Sequence, residues 1–414
     1  MEKRSNILLI SYVFPPYYGI GGRRWAKQAD ELTKLGFNIH VICAKNPFKT
    51  ESLWSDLIQK NPNIFLYPLS RRFPKVMVDF DHHFFHKYLY KFWSIILPFI
   101  VRGTPMDRSV FWKKSMLNKA AELINEYNIN KVICTGGPFS AMYYSTFLKE
   151  KFSNITLIND MRDPWTWGPN WGYPSLNSKR MEYEKNMERI TIEKSDYVTV
   201  PNQEMLNYLH LNYPQFKNKI IEIPHFFDPN ELSVLKKTKS EKIRLVYYGN
   251  IYEGIEEFLE ITSKFFAAHL DKFELDFYTD KTSHLFYFQK KRCKNVRTFP
   301  QEPAKQLFAK FSGYDYVFIM TPDYGKNNVS TKFFEIIYTK TPIIIFSNKG
   351  YAGQFIESNR LGIFIDPNNF EERMLDLYTN RNFKFNDEFD ISEYALNNIA
   401  RKISNLFVNN IHPN

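Results

Sequence analysis

Cysteine is scarce in this chain. Its 414 residues include three, Cys43, Cys134 and Cys293, far apart and without the spacing of a disulfide framework or a zinc site. That excludes a disulfide-stapled secreted domain and points to a reducing compartment. Long hydrophobic runs are also lacking. The longest, Phe92 to Val101, contains Pro98 and is too short to span a bilayer. Near the N-terminus the apolar run Ile7 to Val13 stops at Phe14-Pro15-Pro16, which does not make a signal peptide. No helix-turn-helix, zinc or RNP-type motif is present, so nucleic acid is not expected as a partner. His82, His83 and His86 resemble no ligand set such as HExxH, and no metal is expected.

What is there suits a globular protein of two or three domains: 44% of residues are hydrophobic and 17% aromatic. The formal net charge of +11 favours an anionic partner, such as a phosphorylated ligand or an anionic membrane surface.

Taken in order, Asn6 to Tyr12 reads as a buried strand. Phe14 to Gly22 is a turn-rich loop, Arg23 to Leu35 a helix and Phe37 to Cys43 a second strand. This is a βαβ unit whose glycine loop lies at the carboxyl end of its first strand, where open parallel sheets bind ligands. Gly19, Gly21 and Gly22 do not complete GxGxxG, so a dinucleotide fingerprint is absent.

Residues 70–108 break the pattern as an insertion. The basic, aromatic stretch Phe84 to Leu97 reads as a helix. Two expectations stand for it: packing on its own domain, or peripheral contact with an anionic membrane through residues 71–102.

A second glycine loop, Thr135 to Ser140, follows the strand Lys131 to Cys134. The strand Ile155 to Asn159 runs into Asp160 to Trp167 (DMRDPWTW). Two indoles, Arg162, Asp160 and Asp163 at a strand's carboxyl end suit the wall of a site. The strand–helix alternation restarts at Ile243. Its strands include Tyr314 to Met320 and Ile343 to Phe346. Between these two, Ser330 or Thr331 can cap a helix that carries Lys332 and Glu335 on one side of its first turn. Free N–H groups, a lysine and a glutamate there suit a phosphate and a sugar hydroxyl together.

Three segments resemble one family. ILLISYVFPPYYGIGGRRWAKQADELTKLGFNIHVI is similar to the opening of family 4 glycosyltransferases. VICTGGPFSA and NDMRDPWTW resemble a subgroup with a Gly-Pro-Pro loop and an Asp-x-Arg-Asp-Pro-Trp motif. STKFFEIIYTKTPIII resembles that family's donor-site helix. The resemblance implies an α/β protein of GT-B class, two doubly wound Rossmann-like domains facing a central cleft. The expected boundaries are an acceptor-side domain at 1–224, a linker at 225–241, a donor domain at 242–388 and a terminal segment at 389–414 that crosses back to the first domain.

The implied activity is transfer of a sugar from a nucleotide-sugar donor to a glycan or lipid-linked acceptor in cell-surface glycan synthesis. Transfer with retention is the first expectation, without metal or cofactor, in the cytoplasm or peripherally at the inner membrane face. The implied donor site comprises Gly21, Gly22, Gly249, Asn250, Lys326, Asn327, Ser330, Thr331, Lys332 and Glu335. Asp163, Arg162 and Asp160 are the implied catalytic group, and Gly137, Phe139 and Trp165 face the acceptor. The sequence departs from the family at three places. Asn327 stands where a glutamate is usual, Phe139 where a histidine is usual, and Asn250 to Glu253 where an arginine and a lysine are usual. These departures favour an alternative, a non-catalytic GT-B subunit that binds a nucleotide or scaffolds a partner enzyme.

Overall fold

The computed structural model describes residues 4–79, 84–168, 175–232, 240–279, 285–327, 329–381 and 383–408. His82 and His83 lie outside these. The chain divides into two compact units, Met1–Pro224 together with the chain from Leu396, and His225–Ala395.

The first unit runs β1 (Ser5–Ile10), α1 (Arg23–Lys34), β2 (Phe37–Ala44), α2 (Ser55–Gln59), β3 (Ile64–Leu69), α3 (Phe84–Ile100) and α4 (Lys113–Tyr127). It continues through β4 (Lys131–Thr135), α5 (Ser140–Lys151), β5 (Thr156–Asp160), α6 (Ser178–Lys194), β6 (Tyr197–Val200), α7 (Gln203–Asn212) and β7 (Ile220–Glu222). Its seven strands are all parallel, in the order β3-β2-β1-β4-β5-β6-β7. Central strands such as β1 and β4 bury both faces, which is why they read as continuous apolar runs. Asn177 and Asn202 start α6 and α7 by accepting the N–H of Arg180 at 3.0 Å and of Met205 at 2.9 Å.

The second unit runs β8 (Ile243–Tyr248), α8 (Glu256–Ala268), β9 (Phe273–Tyr278), α9 (Phe286–Lys290), β10 (Val296–Phe299), α10 (Ala304–Lys310) and β11 (Tyr316–Met320). It closes with α11 (Thr331–Tyr338), β12 (Ile343–Phe346), α12 (Tyr351–Ser358), β13 (Gly362–Ile365) and α13 (Phe370–Asn380). Its six parallel strands are ordered β10-β9-β8-β11-β12-β13.

Two boundaries differ from those read in the sequence. Phe226 and Phe227, placed in a linker, are buried, and Phe227 packs on Tyr338 with ring centroids 4.7 Å apart. The apolar rings outweigh the proline that precedes them as a guide to where the second unit begins. The second unit runs on to Ala395, past the expected 388, and a 3-10 turn at Ser392–Tyr394 precedes α14 (Leu396–Asn405). Within the first unit α14 packs on α1, burying Leu396, Ile399, Ala400 and Ile403. No helix among the described residues is long and apolar enough to cross a membrane. Cys43, Cys134 and Cys293 are buried and unpaired.

Glu184 on α6 is an internal tie. Its carboxylate accepts the Thr104 N–H at 2.6 Å and the Trp165 indole N–H at 2.9 Å. Burial pushes its pKa up to about 7. A carboxyl with a raised folded pKa contributes stability below its unfolded value that is lost as pH climbs through the folded one. For a shift from 4.5 to about 7 the change is on the order of 3 kcal/mol. The melting temperature should therefore fall between pH 5 and pH 8, and Glu184→Gln should make that slope shallower in thermal unfolding across the same range.

Candidate functional site

In each sheet the strand order reverses once, between β1 and β4 in the first unit and between β8 and β11 in the second. Helices leave on opposite faces at such a point, and the gap outside the carboxyl ends is where these sheets bind ligands. The sequence-predicted residues divide between the two reversals.

In the first unit the loops after β1 and β4 are held by Arg162. Its guanidinium donates to the Gly136 carbonyl at 3.1 and 2.8 Å, to the Gly137 carbonyl at 3.2 Å and to the Gly21 carbonyl. Arg162 is thus a positioning residue that joins the two glycine loops. Gly137 needs its glycine, with φ at +74°. Gly22 opens α1, which has no side-chain cap, and a Cβ there would stand 3.2 Å from Pro15 Cδ.

Asp160, the last residue of β5, is 1% exposed. It accepts from the Trp25 indole at 2.8 Å, Thr199 Oγ1 at 2.8 Å and Thr135 Oγ1 at 3.1 Å, and faces the Arg24 guanidinium at 3.5 Å. Burial would raise its pKa. The charges of Arg24 and Arg162 and these hydrogen bonds outweigh burial and hold it below the usual carboxylate range. It is a fixed anion inside the sheet. Asp163 differs. Half-buried and without a hydrogen bond among the described residues, it has its pKa raised by burial and by the charge of Asp160, against Arg162. Of the two aspartates, Asp163 is the one able to exchange a proton.

Phe139 and Trp165 take another role than the one expected of them. Both are 1% exposed, and their rings stack 5.1 Å apart at 14° in the core. With Trp165 tied to Glu184, neither ring offers a face to an acceptor.

Sequence reasoning missed a group behind the first loop. Tyr12 Oη, Tyr17 Oη, Trp112 Nε1 and Arg71 Nη1 are buried with no hydrogen-bond partner among the described residues. Burial raises both phenol pKa values, and the charges of Arg71 and Arg108 oppose that rise. Residue types this common carry no sequence signal; only the fold brings them together.

In the second unit Lys332 spans the reversal. From the first turn of α11 its ammonium donates to the carbonyl of Tyr248, the last residue of β8, at 3.1 Å. It also lies 5.0 Å from the centre of the Tyr248 ring. Burial lowers its pKa, against the pull of Glu335. Gly249 leaves the room. Its φ is +94°, and a Cβ there would overlap Lys332 Nζ. Glu335 is one turn on and 5% exposed.

The remaining donor-side expectations fare unevenly. Ser330 is the N-cap residue of α11, but its hydroxyl caps nothing; its carbonyl accepts the Phe333 N–H at 3.0 Å. Thr331 is the first helical residue. The Asn327 side-chain oxygen accepts the Tyr351 N–H at 2.8 Å, and the Lys326 carbonyl accepts that of Ala352 at 3.1 Å. This pair therefore anchors the start of α12. Lys326 Nζ is ion-paired to Asp323 at 2.7 Å. Asn250 accepts from Gln301 at 3.2 Å. No cluster of His, Cys, Asp or Glu suited to a metal occurs among the described residues.

Neither a protein-family model nor a curated protein matches the chain by sequence. Solved structures do match in fold. A sucrose-phosphate synthase from Thermosynechococcus elongatus is 14% identical at a TM-score of 0.65, over 98% of each chain. The lipopolysaccharide outer core galactosyltransferase WaaB is 11% identical at 0.64, over 97% of this chain and 99% of its own. HepE of Anabaena, solved with UDP and glucose, is 10% identical at 0.61, over 98% and 100%. The chain has the GT-B fold. UDP-N-acetylglucosamine 2-epimerases share it, so activity in a GT-B protein has to be argued from its site.

The Gly249–Lys332 contact yields a direct test. Gly249→Ala should strain the turn by about 1–3 kcal/mol and displace the Lys332 ammonium. Thermal unfolding should then show that loss of stability, while circular dichroism shows a folded chain.

Proposed function

We propose that the protein is a glycosyltransferase that moves a sugar from a nucleotide-sugar donor to a polysaccharide or glycolipid acceptor. One observation carries this reading: Lys332 and Glu335 stand together at the β8/β11 reversal, with Gly249 leaving the room that the ammonium occupies. HepE, which shares the fold, binds UDP and glucose, and WaaB acts on a lipopolysaccharide core. Both fit the proposed donor and acceptor classes.

In this scheme the diphosphate lies at Lys332 and the uncapped start of α11, and Glu335 accepts from ribose hydroxyls. Breaking the bond between the sugar's anomeric carbon and the diphosphate leaves negative charge on the phosphate. A preorganised ammonium and helix N–H groups stabilise that charge as it develops. They take the place of a bound metal. The dry surroundings that depress the Lys332 pKa also strengthen its attraction to the leaving group.

Under retention the departing phosphate receives the acceptor proton. Under inversion Asp163, with its raised pKa, is the base. Asp163→Asn separates the two: turnover falls by roughly 10²–10⁴ under inversion and changes little under retention. The buried, unpaired thiols suit a reducing compartment such as the cytoplasm.

A thermal-shift screen with UDP, GDP, CMP and their sugar conjugates tests the donor site. A ligand at a hundred times its dissociation constant adds about 2.7 kcal/mol. One nucleotide should shift the melting temperature clearly, and Glu335→Ala should remove both the shift and most turnover without unfolding the chain. No shift with any nucleotide in a folded sample would sink the transferase reading and favour a non-catalytic scaffold.

A further inference from the structure

Helix α3 is apolar on two faces. Its inner face carries Leu89, Trp93 and Leu97, which pack with Phe73, Val76, Met77 and Val101 in a small core of their own. At its end Arg180 from α6 donates to the carbonyls of Val101 at 2.6 Å, Gly103 at 2.5 Å and Pro98. These contacts fix which way the helix faces.

Only Leu97 of its seventeen residues is fully buried. Phe84, Tyr88, Phe92, Ile95 and Phe99 recur three or four apart and so form one stripe along the outside. Their exposures run from 53% to 82%. From Phe84 to Phe99 the helix rises fifteen steps, which makes the stripe about 22 Å long. A continuous band of exposed rings is not how a soluble surface is built; scattered single residues are.

Lys87 and Lys91, four apart and exposed, run along one flank of the stripe. Neither is ion-paired among the described residues, and no acidic residue occurs from Phe84 to Met106. We infer that α3 docks the protein on an anionic bilayer, its outer stripe lying among the acyl chains and headgroups while Lys87, Lys91 and Arg102 meet lipid phosphates.

Three features select this occupant. Phe and Ile supply buried apolar area, Tyr88 has the amphipathic ring favoured at headgroup level, and lysine stems reach from an apolar layer to its charged edge. A second copy of the chain is disfavoured, because a two-fold pairing of stripes would set the two lysine rows against each other. The inference is independent of the sugar-transfer reading, since no residue of α3 belongs to either candidate site.

Flotation of the full chain with vesicles tests it, using phosphatidylcholine alone and phosphatidylcholine with phosphatidylglycerol. Binding is expected to the anionic vesicles and to weaken with salt. Phe92→Glu with Phe99→Glu should abolish it at an unchanged melting temperature and nucleotide response. Each of Lys87→Gln and Lys91→Gln should lower affinity about five-fold. Failure to bind anionic vesicles would overturn the inference, as would equal binding by the double glutamate variant. A dimer seen by sedimentation that this variant abolishes, without vesicle binding, would assign the stripe to a second copy instead.

Discussion

The buried charge of Asp160 holds the first unit together. One carboxylate gathers an indole from α1, a threonine from β4 and another from β6, and faces Arg24. The same guanidinium also donates to the carbonyls of Ile223 and Pro224, at 3.0 and 3.2 Å, where the unit's first chain segment ends. A charge this deep is tolerable only because every neighbour favours it, and removing one member of such a set costs about 3–5 kcal/mol. The same charge acts outward. It adds to the burial that raises the Asp163 pKa, and it draws Arg162 into place over the two glycine loops. One fixed anion thus organises both the scaffold and the half-buried carboxyl next to it.

The two reversals share a design but spend it differently. In the first unit an arginine is consumed by backbone carbonyls and ties the two loops together. In the second, a lysine crosses from one strand's helix to its neighbour's end, where a carbonyl, a ring and the charge of Glu335 hold it. Lys326 is paired with Asp323, and Arg24 in the other unit is occupied by Asp160. If a diphosphate binds at α11, Lys332 is the cation placed to meet it.

Much of the fold was legible in the sequence. The strand span Ile343 to Phe346 agrees with the structure to the residue, because strands buried on both faces are unbroken apolar runs between turn residues. Roles at the sites were harder to read. That Arg162 would turn back on Gly21 and Gly136, across 141 and 26 residues, depends on how strands are ordered and not on local pattern. Phe139 and Trp165 looked like a wall because they flank loops, yet stacking puts them in the core. Asn327 looked like a donor-site residue standing where a glutamate is usual, and its side-chain oxygen proves to accept from the start of α12. The aromatic helix showed its basic character in sequence. Which of its faces stays outside depended on Arg180, eighty-two residues beyond Pro98.

The first unit is built from two pieces of chain that are far apart in synthesis. Its sheet is complete at Pro224, but α14, which covers α1, begins at Leu396. The 171 residues from His225 to Ala395 emerge from the ribosome in between. At roughly 5–20 residues per second, that leaves the α1 surface bare for about 10–30 seconds in every molecule made. A chaperone that recognises apolar helical surfaces has that interval in which to act, and a chain stalled within the second unit keeps the surface open to it.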